Sequence, residues 1–124
     1  MGPLKSPPIL FVDDSALARA AATRLFTSRG LAVTALGSSA EAAAIDPNAF
    51  SAALLDIELG DGLGTDVAER LRSSAPALPI AFLTAGGPNL ALDVAARFGP
   101  VFSKGEGVEE AIAWIADAAR PLGG

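Results

Sequence analysis

Short apolar runs alternate with longer stretches of helical periodicity along this chain of 124 residues. Five runs have the length and composition of strands: Ile9 to Val12, Leu31 to Leu36, Ala52 to Leu55, Ile80 to Leu83 and Val101 to Ser103. The third run shows no alternation of polar and apolar residues, which is typical of a central strand covered on both faces. Strict alternation of strands with helices predicts one parallel sheet between two helical layers, a three-layer α/β fold.

The stretches between the runs carry helix signals of their own. The predicted helices run from about Ser15 to Arg29, Ser39 to Ile45, Thr65 to Ser73, a cap at Asn89 to Phe98, and Val108 to Arg120. Leu17, Ala21 and Leu25 are spaced four apart and form an apolar face on the first helix, which Gly30 is expected to end. Ser38 and Glu41 have the spacing of a capping box.

Composition sets the scale of this fold. With 51% hydrophobic residues, the chain can bury one core but is too short for two ordinary domains. We expect a flexible tether over residues 1–8, one domain over residues 9–120 and a short tail over residues 121–124. No apolar segment has the length of a signal peptide core or a membrane span, so a soluble protein is expected.

Charge and missing residue types exclude several kinds of function. Fourteen acidic residues against nine basic ones give a net charge of -5, which argues against nucleic-acid binding by this chain. Histidine and cysteine are both absent. Their absence excludes a Ser-His-Asp triad, a thiol nucleophile and a zinc site of the usual ligands. The lack of cysteine also favours a cytoplasmic location.

Polar residues follow four of the five predicted strands. Asp13 and Asp14 follow the first strand, Asp56 the third, Thr84 the fourth and Lys104 the fifth. Parallel strands bring their carboxyl ends to one sheet edge, where ligands bind in open α/β sheets. Like carboxylates 4 Å apart repel by about 4 kcal/mol at an effective dielectric near 20. A hard cation with oxygen ligands relieves that repulsion, so the set suggests Mg²⁺-assisted phosphate chemistry.

Each of these residues also has an ordinary structural interpretation. An Asp-Asp pair is often a helix cap, an aspartate or threonine after a strand often belongs to a turn, and a lysine is usually a solvated charge. Only their joint placement favours a phosphoacceptor site. The glycines at Gly60, Gly62 and Gly64 do not form a dinucleotide fingerprint, because the third one should stand at Thr65. They predict a tight loop instead.

The same motifs resemble the receiver domains of bacterial two-component response regulators, over about Ile9 to Arg120. The matching features are the acidic pair, Leu55-Asp56-Ile57, Gly64 eight residues beyond Asp56, Thr84-Ala85 and Lys104. The resemblance implies a flavodoxin-like, doubly wound sheet of five parallel strands in the order 2-1-3-4-5 with five helices. It is similar to the fold of the chemotaxis receiver.

The resemblance also implies a role for each site residue. Asp56 would accept a phosphoryl group from a phosphohistidine on a sensor histidine kinase or a histidine phosphotransfer protein. Asp14, Asp56 and the backbone carbonyl of Glu58 would bind Mg²⁺, and Asp13 would orient a metal-bound water. Thr84 would hydrogen-bond the acyl phosphate and Lys104 would pair with it. Partner affinity would then switch through the Thr84 loop and the face formed by helix 4 and strand 5.

Several residues depart from the family pattern. Gly60 and Gly105 stand where receivers usually carry proline, in the second case with a cis peptide bond. Receivers place a switching aromatic residue three positions before the lysine, where this chain has Val101, and Phe102 should point to the opposite face. Glu58 and Gly86 occupy variable positions that influence hydrolysis of the acyl phosphate. These departures predict an atypical signalling output and an altered acyl-phosphate lifetime.

Two other functions stay open at the level of sequence. A pseudo-receiver would keep the fold and act as a phosphorylation-independent interaction module, an alternative favoured by Val101 and Gly105. A small hydrolase could use an aspartyl nucleophile in the Asp13-Asp14 pair. Such hydrolases normally need a cap to enclose the substrate, and this chain has no spare length for one. No conventional turnover enzyme is expected.

Overall fold

Seven strands and five helices make up the part of the chain that the computed structural model describes, residues 7–86 and 90–119. The strands are β1 (Ile9–Val12), β2 (Val33–Leu36), β3 (Ala52–Asp56), β4 (Glu58–Leu59), β5 (Gly62–Leu63), β6 (Ile80–Thr84) and β7 (Val101–Ser103). The helices are α1 (Ala16–Ser28), α2 (Ser39–Ala43), α3 (Gly64–Ser74), α4 (Leu90–Ala95) and α5 (Val108–Ala118), with a 3₁₀ turn at Pro47–Ala49. The predicted cap at Asn89, the C-terminal tail and most of the tether lie outside the described residues.

Five of the strands form one parallel sheet in the order β2-β1-β3-β6-β7. Counted among these five alone, the order is 2-1-3-4-5, which confirms the predicted topology. Every residue of β3 is buried, as its unbroken apolar sequence predicted. The strand order reverses between β1 and β3, and in such sheets a crevice opens at the carboxyl ends of the strands on either side of that point.

The sheet separates two hydrophobic cores. One core packs the sheet against α2, α3 and α4 and includes Val67, Ala68 and Leu71 of α3. The other packs it against α1 and α5 and includes Ala111, Ile112, Ile115 and Ala119. Trp114 is partly buried and packs against the second core. None of the helices among the described residues is long and apolar enough to cross a membrane.

The buried face of α1 differs from the predicted one. Leu17 is 84% exposed, and the buried residues of the helix are Ala22 and Phe26. The helix is rich in alanine, so it has two apolar rows in which residues are spaced four apart. One row contains Leu17 and the other contains Ala22 and Phe26, and the second buries more surface because it carries the phenylalanine. The ends of the helix are as expected: the Ser15 side chain caps the start, and Gly30 has a positive φ of 79° after the end.

The glycine-rich segment after β3 also differs from the sequence-based expectation. A tight loop was expected, but Glu58–Leu59 and Gly62–Leu63 pair as an antiparallel hairpin with Gly60 and Asp61 at its turn. Two-residue strands are too short to leave a recognisable pattern. The hairpin places its turn beside the carboxyl end of β1, close to the acidic pair.

Candidate functional site

Three carboxylates converge at the carboxyl ends of β1 and β3. One carboxylate oxygen from each of Asp13, Asp14 and Asp56 lies within 4.8 Å of the others. The cause is the register of the two strands, in which Val12 is paired with Leu55 so that the residues after them emerge side by side. The three carboxylates therefore lie together at one sheet edge, as the predicted parallel sheet required.

Asp13 is the most buried member of this cluster, with no exposed surface. Its Oδ1 atom accepts a hydrogen bond of 2.9 Å from the Ser15 N–H, and its backbone carbonyl accepts one of 2.8 Å from Arg19 Nη1. Its Oδ2 atom lies 2.9 Å from Lys104 Nζ and forms an ion pair with it. A carboxylate oxygen can accept more than one hydrogen bond, so this atom can also accept from a water molecule held by a cation.

Asp56 closes β3 and is 4% exposed. Its Oδ1 atom accepts from the Glu58 N–H at 3.2 Å and its Oδ2 atom from Lys104 Nζ at 3.0 Å. Burial raises the pKa of Asp56, and the nearby charge of Asp13 adds to the effect, while Lys104 and the Glu58 N–H lower it only in part. An ionised Asp56 therefore gains from any further positive charge in the site.

Lys104 connects the two buried carboxylates from the end of β7. Its backbone N–H donates to the Thr84 carbonyl at 2.9 Å, which extends the sheet pairing and directs the side chain over the strand ends. Burial alone would lower the pKa of Lys104, but contacts with Asp13 and Asp56 together raise it, so the amine stays protonated. Peptide bonds throughout the described residues are trans, including the one between Lys104 and Gly105.

Thr84 ends β6 beside this charge cluster. Its Oγ1 atom accepts a hydrogen bond of 3.2 Å from the Gly86 N–H, an arrangement that leaves the hydroxyl hydrogen to donate elsewhere. A cavity of about 340 Å³ opens at this point and is lined by Asp14, Asp56, Glu58, Thr84, Ala85, Gly86 and Lys104. All the predicted site residues except Asp13, Val101 and Phe102 thus line one cavity, and Asp13 is joined to it through the ion pair with Lys104.

The hairpin turn contributes two groups that the sequence analysis missed. The Gly60 N–H donates to Asp14 Oδ2 at 3.3 Å, and the Asp61 carboxylate accepts from the N–H groups of Ser39 and Ala40 at the start of α2. Ser39 and Asp61 are 22 residues apart, so no local spacing could reveal this contact. The capping box at α2 is also modified, because Glu41 reaches back to the Gly37 N–H at 2.9 Å.

The two predicted switch positions in β7, Val101 and Phe102, lie on opposite faces of that strand. Val101 packs against the core that contains α3 and α4, and Phe102 packs against the core that contains α1 and α5. This confirms that Phe102 points away from the face on which a switching aromatic was expected. The face toward α4 carries the smaller valine side chain instead.

The site offers donors that suit a hard divalent cation. Among the described residues the cluster provides only oxygen ligands near its centre, from three carboxylates. Mg²⁺ prefers such ligands and keeps several of its waters, for which the cavity has room. The residues present therefore fit Mg²⁺.

Comparisons with known proteins agree with this geometry. The model of the response regulator receiver domain family matches residues 9–99. The chain is similar in structure to a receiver domain protein from Clostridium thermocellum, with 21% identity, a TM-score of 0.81 and 94% of each chain covered. It is also similar to the non-phosphorylated HemR receiver domain of Leptospira biflexa, with 26% identity, a TM-score of 0.80, and 93% of this chain and 98% of that one covered. No curated protein matches the chain.

The family match ends before β7 and therefore before Lys104. The segment beyond it holds Val101 and Gly105, two of the positions at which the sequence departs from the receiver pattern. The similarity of structure continues through this segment, since a CheY-like receiver domain protein from Methanospirillum hungatei JF-1 covers 94% of the chain at 20% identity and a TM-score of 0.77. The fold is thus kept where the sequence pattern weakens.

Proposed function

The chain belongs to the response regulator receiver domain family, and on that premise we propose that it accepts a phosphoryl group on Asp56 and thereby changes its affinity for a partner. The donor would be a phosphohistidine on a sensor histidine kinase or a histidine phosphotransfer protein. The observation that carries the proposal is the assembly around Asp56, where two further carboxylates and one ammonium group meet beside a cavity.

Transfer to a carboxylate brings two anions together, so positive charge must be ready at the site. In this proposal Asp14, Asp56 and the backbone carbonyl of Glu58 hold Mg²⁺, and Asp13 orients one of its waters. Bound there, Mg²⁺ would neutralise charge on the carboxylates and on the oxygens of the phosphoryl group. An oxygen of Asp56 forms the bond to phosphorus as the P–N bond breaks, and the departing imidazole keeps the electron pair of that bond.

Lys104 and Thr84 would serve the phosphoryl group once it is attached. The Lys104 amine already lies 3.0 Å from Asp56 Oδ2, and a short movement would carry it to a phosphoryl oxygen. The Thr84 hydroxyl can donate to another phosphoryl oxygen, because its bond with Gly86 uses only its acceptor side. This new bond would draw the Thr84 loop toward Asp56 and so transmit the change to α4 and β7.

The pseudo-receiver alternative has weaker support. A module that only binds partners has no need for a lysine between two buried carboxylates. Buried ion pairs of this kind stabilise a fold little compared with apolar residues in the same place. Val101 concerns how the signal leaves the site. Gly105 concerns the path of the Lys104 backbone, and the Lys104 amine lies 3.0 Å from Asp56 Oδ2 with this glycine in place. We therefore propose a working phosphoacceptor with an atypical output.

Incubation with a small-molecule phosphodonor and Mg²⁺, followed by intact mass measurement, tests the proposal. The expected result is a gain of one phosphoryl group in the wild-type chain and no gain in Asp56→Asn or without Mg²⁺. Asp46→Asn is a matched control, because Asp46 is an exposed aspartate whose carboxylate accepts a hydrogen bond from the nearby Asn48 N–H and takes no part in the cluster. If the wild-type chain gains no mass, the remaining function is that of a phosphorylation-independent interaction module. Steady release of phosphate from simple esters would indicate a hydrolase.

A further inference from the structure

The turn of the β4–β5 hairpin is attached to the N-terminus of α2. Asp61, in that turn, accepts hydrogen bonds from the Ser39 N–H at 2.9 Å and the Ala40 N–H at 3.1 Å, one on each carboxylate oxygen. The Ser39 hydroxyl also lies 3.5 Å from the Asp61 carbonyl oxygen. A β-carbon on Gly62 would stand only 2.9 Å from Ser39 Oγ, so the turn is pressed closely against the helix.

These bonds satisfy groups that a short helix leaves unpaired. The first N–H groups of a helix have no partner inside it, and the local cap, Ser38, serves the Glu41 N–H. Asp61 supplies the acceptors for Ser39 and Ala40 from another part of the chain. The same two bonds, first from Ser39 and then from Ala40, lower the pKa of Asp61, so it is ionised near neutral pH and its bonds are charge-assisted.

The hairpin is attached to the acidic cluster as well. The Glu58 N–H donates to Asp56 Oδ1 at 3.2 Å, and the Gly60 N–H donates to Asp14 Oδ2 at 3.3 Å. Asp61 directly follows Gly60 in the two-residue turn. Its attachment to α2 therefore restricts where the backbone from Glu58 to Gly60 can lie against the carboxylates.

We propose that Asp61 is a positioning residue for the cation site: by tying the hairpin to α2 it fixes the backbone carbonyl of Glu58 and the amide of Gly60 relative to Asp14 and Asp56. Asp61 does not touch the cation in this arrangement and acts through the hairpin backbone. The inference rests on the proposed function, because it requires that Mg²⁺ binds at the cluster.

The coupling must act in both directions. If the bonds of Asp61 to α2 favour binding of the cation, binding of the cation favours those bonds by the same factor. Mg²⁺ should therefore slow hydrogen exchange at the amides of Ser39 and Ala40, although neither residue lies in the cavity that holds the cluster. This expectation can be measured on the wild-type chain without any substitution.

Mg²⁺ titration of the ¹⁵N-labelled full chain, followed by NMR, measures the effect on affinity. Asp61→Ala should weaken Mg²⁺ binding about tenfold, as found for groups that orient a metal ligand. Asp61→Asn keeps one acceptor oxygen and should fall between Asp61→Ala and the wild type. Asp46→Ala is the matched control, because it removes an exposed aspartate cap that is not attached to the hairpin. Titration at about 1 M KCl screens the loss of charge itself, since the Debye length is then about 3 Å.

The possible outcomes separate this inference from the function on which it rests. Equal Mg²⁺ affinity in Asp61→Ala and the wild type, or an equal loss in Asp46→Ala, would overturn the role of Asp61 and leave the metal site in place. Unchanged exchange at Ser39 and Ala40 on Mg²⁺ binding would also overturn it, even if Asp61→Ala does not fold. A wild-type chain with no Mg²⁺-dependent shifts would remove the proposed metal site instead.

Discussion

The backbone carbonyl oxygen of Asp56 approaches Gly64 so closely that a β-carbon on this glycine would collide with it. The two residues are brought together because the hairpin turns the chain back on itself, and the Gly64 N–H donates to the Ile57 carbonyl at 2.7 Å. Gly64 is buried at the start of α3, so neither side has room to give way. The glycine eight residues beyond Asp56 thus has a steric reason to be there.

Gly64→Ala should therefore destabilise the chain by about 2 kcal/mol, the usual range for overpacking a well-packed interior. The added methyl group must push Asp56 or α3 out of place, so phosphorylation of Asp56 should fall as well. Urea unfolding and intact mass after treatment with a phosphodonor measure the two effects. Gly105→Ala is the control, because the nearest atom to its β-carbon is Ser103 Oγ at an ordinary 3.6 Å.

Opposite faces of α1 should respond very differently to substitution. Leu17 is 84% exposed, so Leu17→Gln should change the free energy of unfolding by less than about 0.5 kcal/mol. Phe26 is fully buried against the sheet, and Phe26→Ala should cost about 4 kcal/mol. Chemical denaturation of the two variants decides the matter. A large loss of unfolding free energy in Leu17→Gln would instead show that the apolar face predicted from periodicity is the buried one.

Local signals account for what the sequence predicted correctly. Each strand of the sheet is a short apolar run, four of the five runs are followed directly by a polar residue, and the alternation of runs with helices leaves few topologies. The convergence of Asp13, Asp14 and Asp56 follows from that topology alone. The reach of Lys104 to the same point follows from the next strands in the sheet, which place its backbone beside Thr84.

Contacts between distant parts of the chain account for what was missed. The buried stripe of α1 depends on which side of an alanine-rich helix meets the sheet, and Phe26 decides it through packing that no spacing encodes. The bonds of Asp61 to Ser39 and Ala40 join segments 22 and 21 residues apart. Both features appear only when the sheet and its helices are assembled.

Asp56→Asn should stabilise the chain near neutral pH in the absence of Mg²⁺. The pKa of Asp56 is raised from its ordinary value of 3.8, chiefly by burial, so the folded chain binds that proton more tightly than the unfolded chain. Its contribution to stability is then present below the ordinary pKa and is lost as the pH rises through the raised one. Asparagine cannot ionise and avoids this loss.

Urea unfolding of the wild type and of Asp56→Asn at about pH 4 and about pH 7 measures this difference. The advantage of the variant should be larger at the higher pH. An advantage that is the same at both values would mean that the charge of Asp56 is not the cause. Asp46→Asn serves again as the control, since Asp46 is exposed and lies outside the charge cluster.

Lys104→Met should destabilise the chain, because it removes the ammonium group that pairs with two buried carboxylates. Asp13 and Asp56 are 0% and 4% exposed, and without Lys104 their carboxylates would be buried with no ion-pair partner among the described residues. Breaking a buried ion pair from one side costs about 3 kcal/mol or more. The loss should shrink in acid, as Asp56 takes up a proton. Mg²⁺ should stabilise the variant more than the wild type, because the cation then replaces the only side chain among the described residues that forms an ion pair with these two carboxylates. Thermal unfolding with and without Mg²⁺ measures both effects, and Lys104→Arg, which keeps the charge, should lose less. Equal stabilisation of Lys104→Met and the wild type by Mg²⁺ would show that the cation and the lysine do not share these carboxylates.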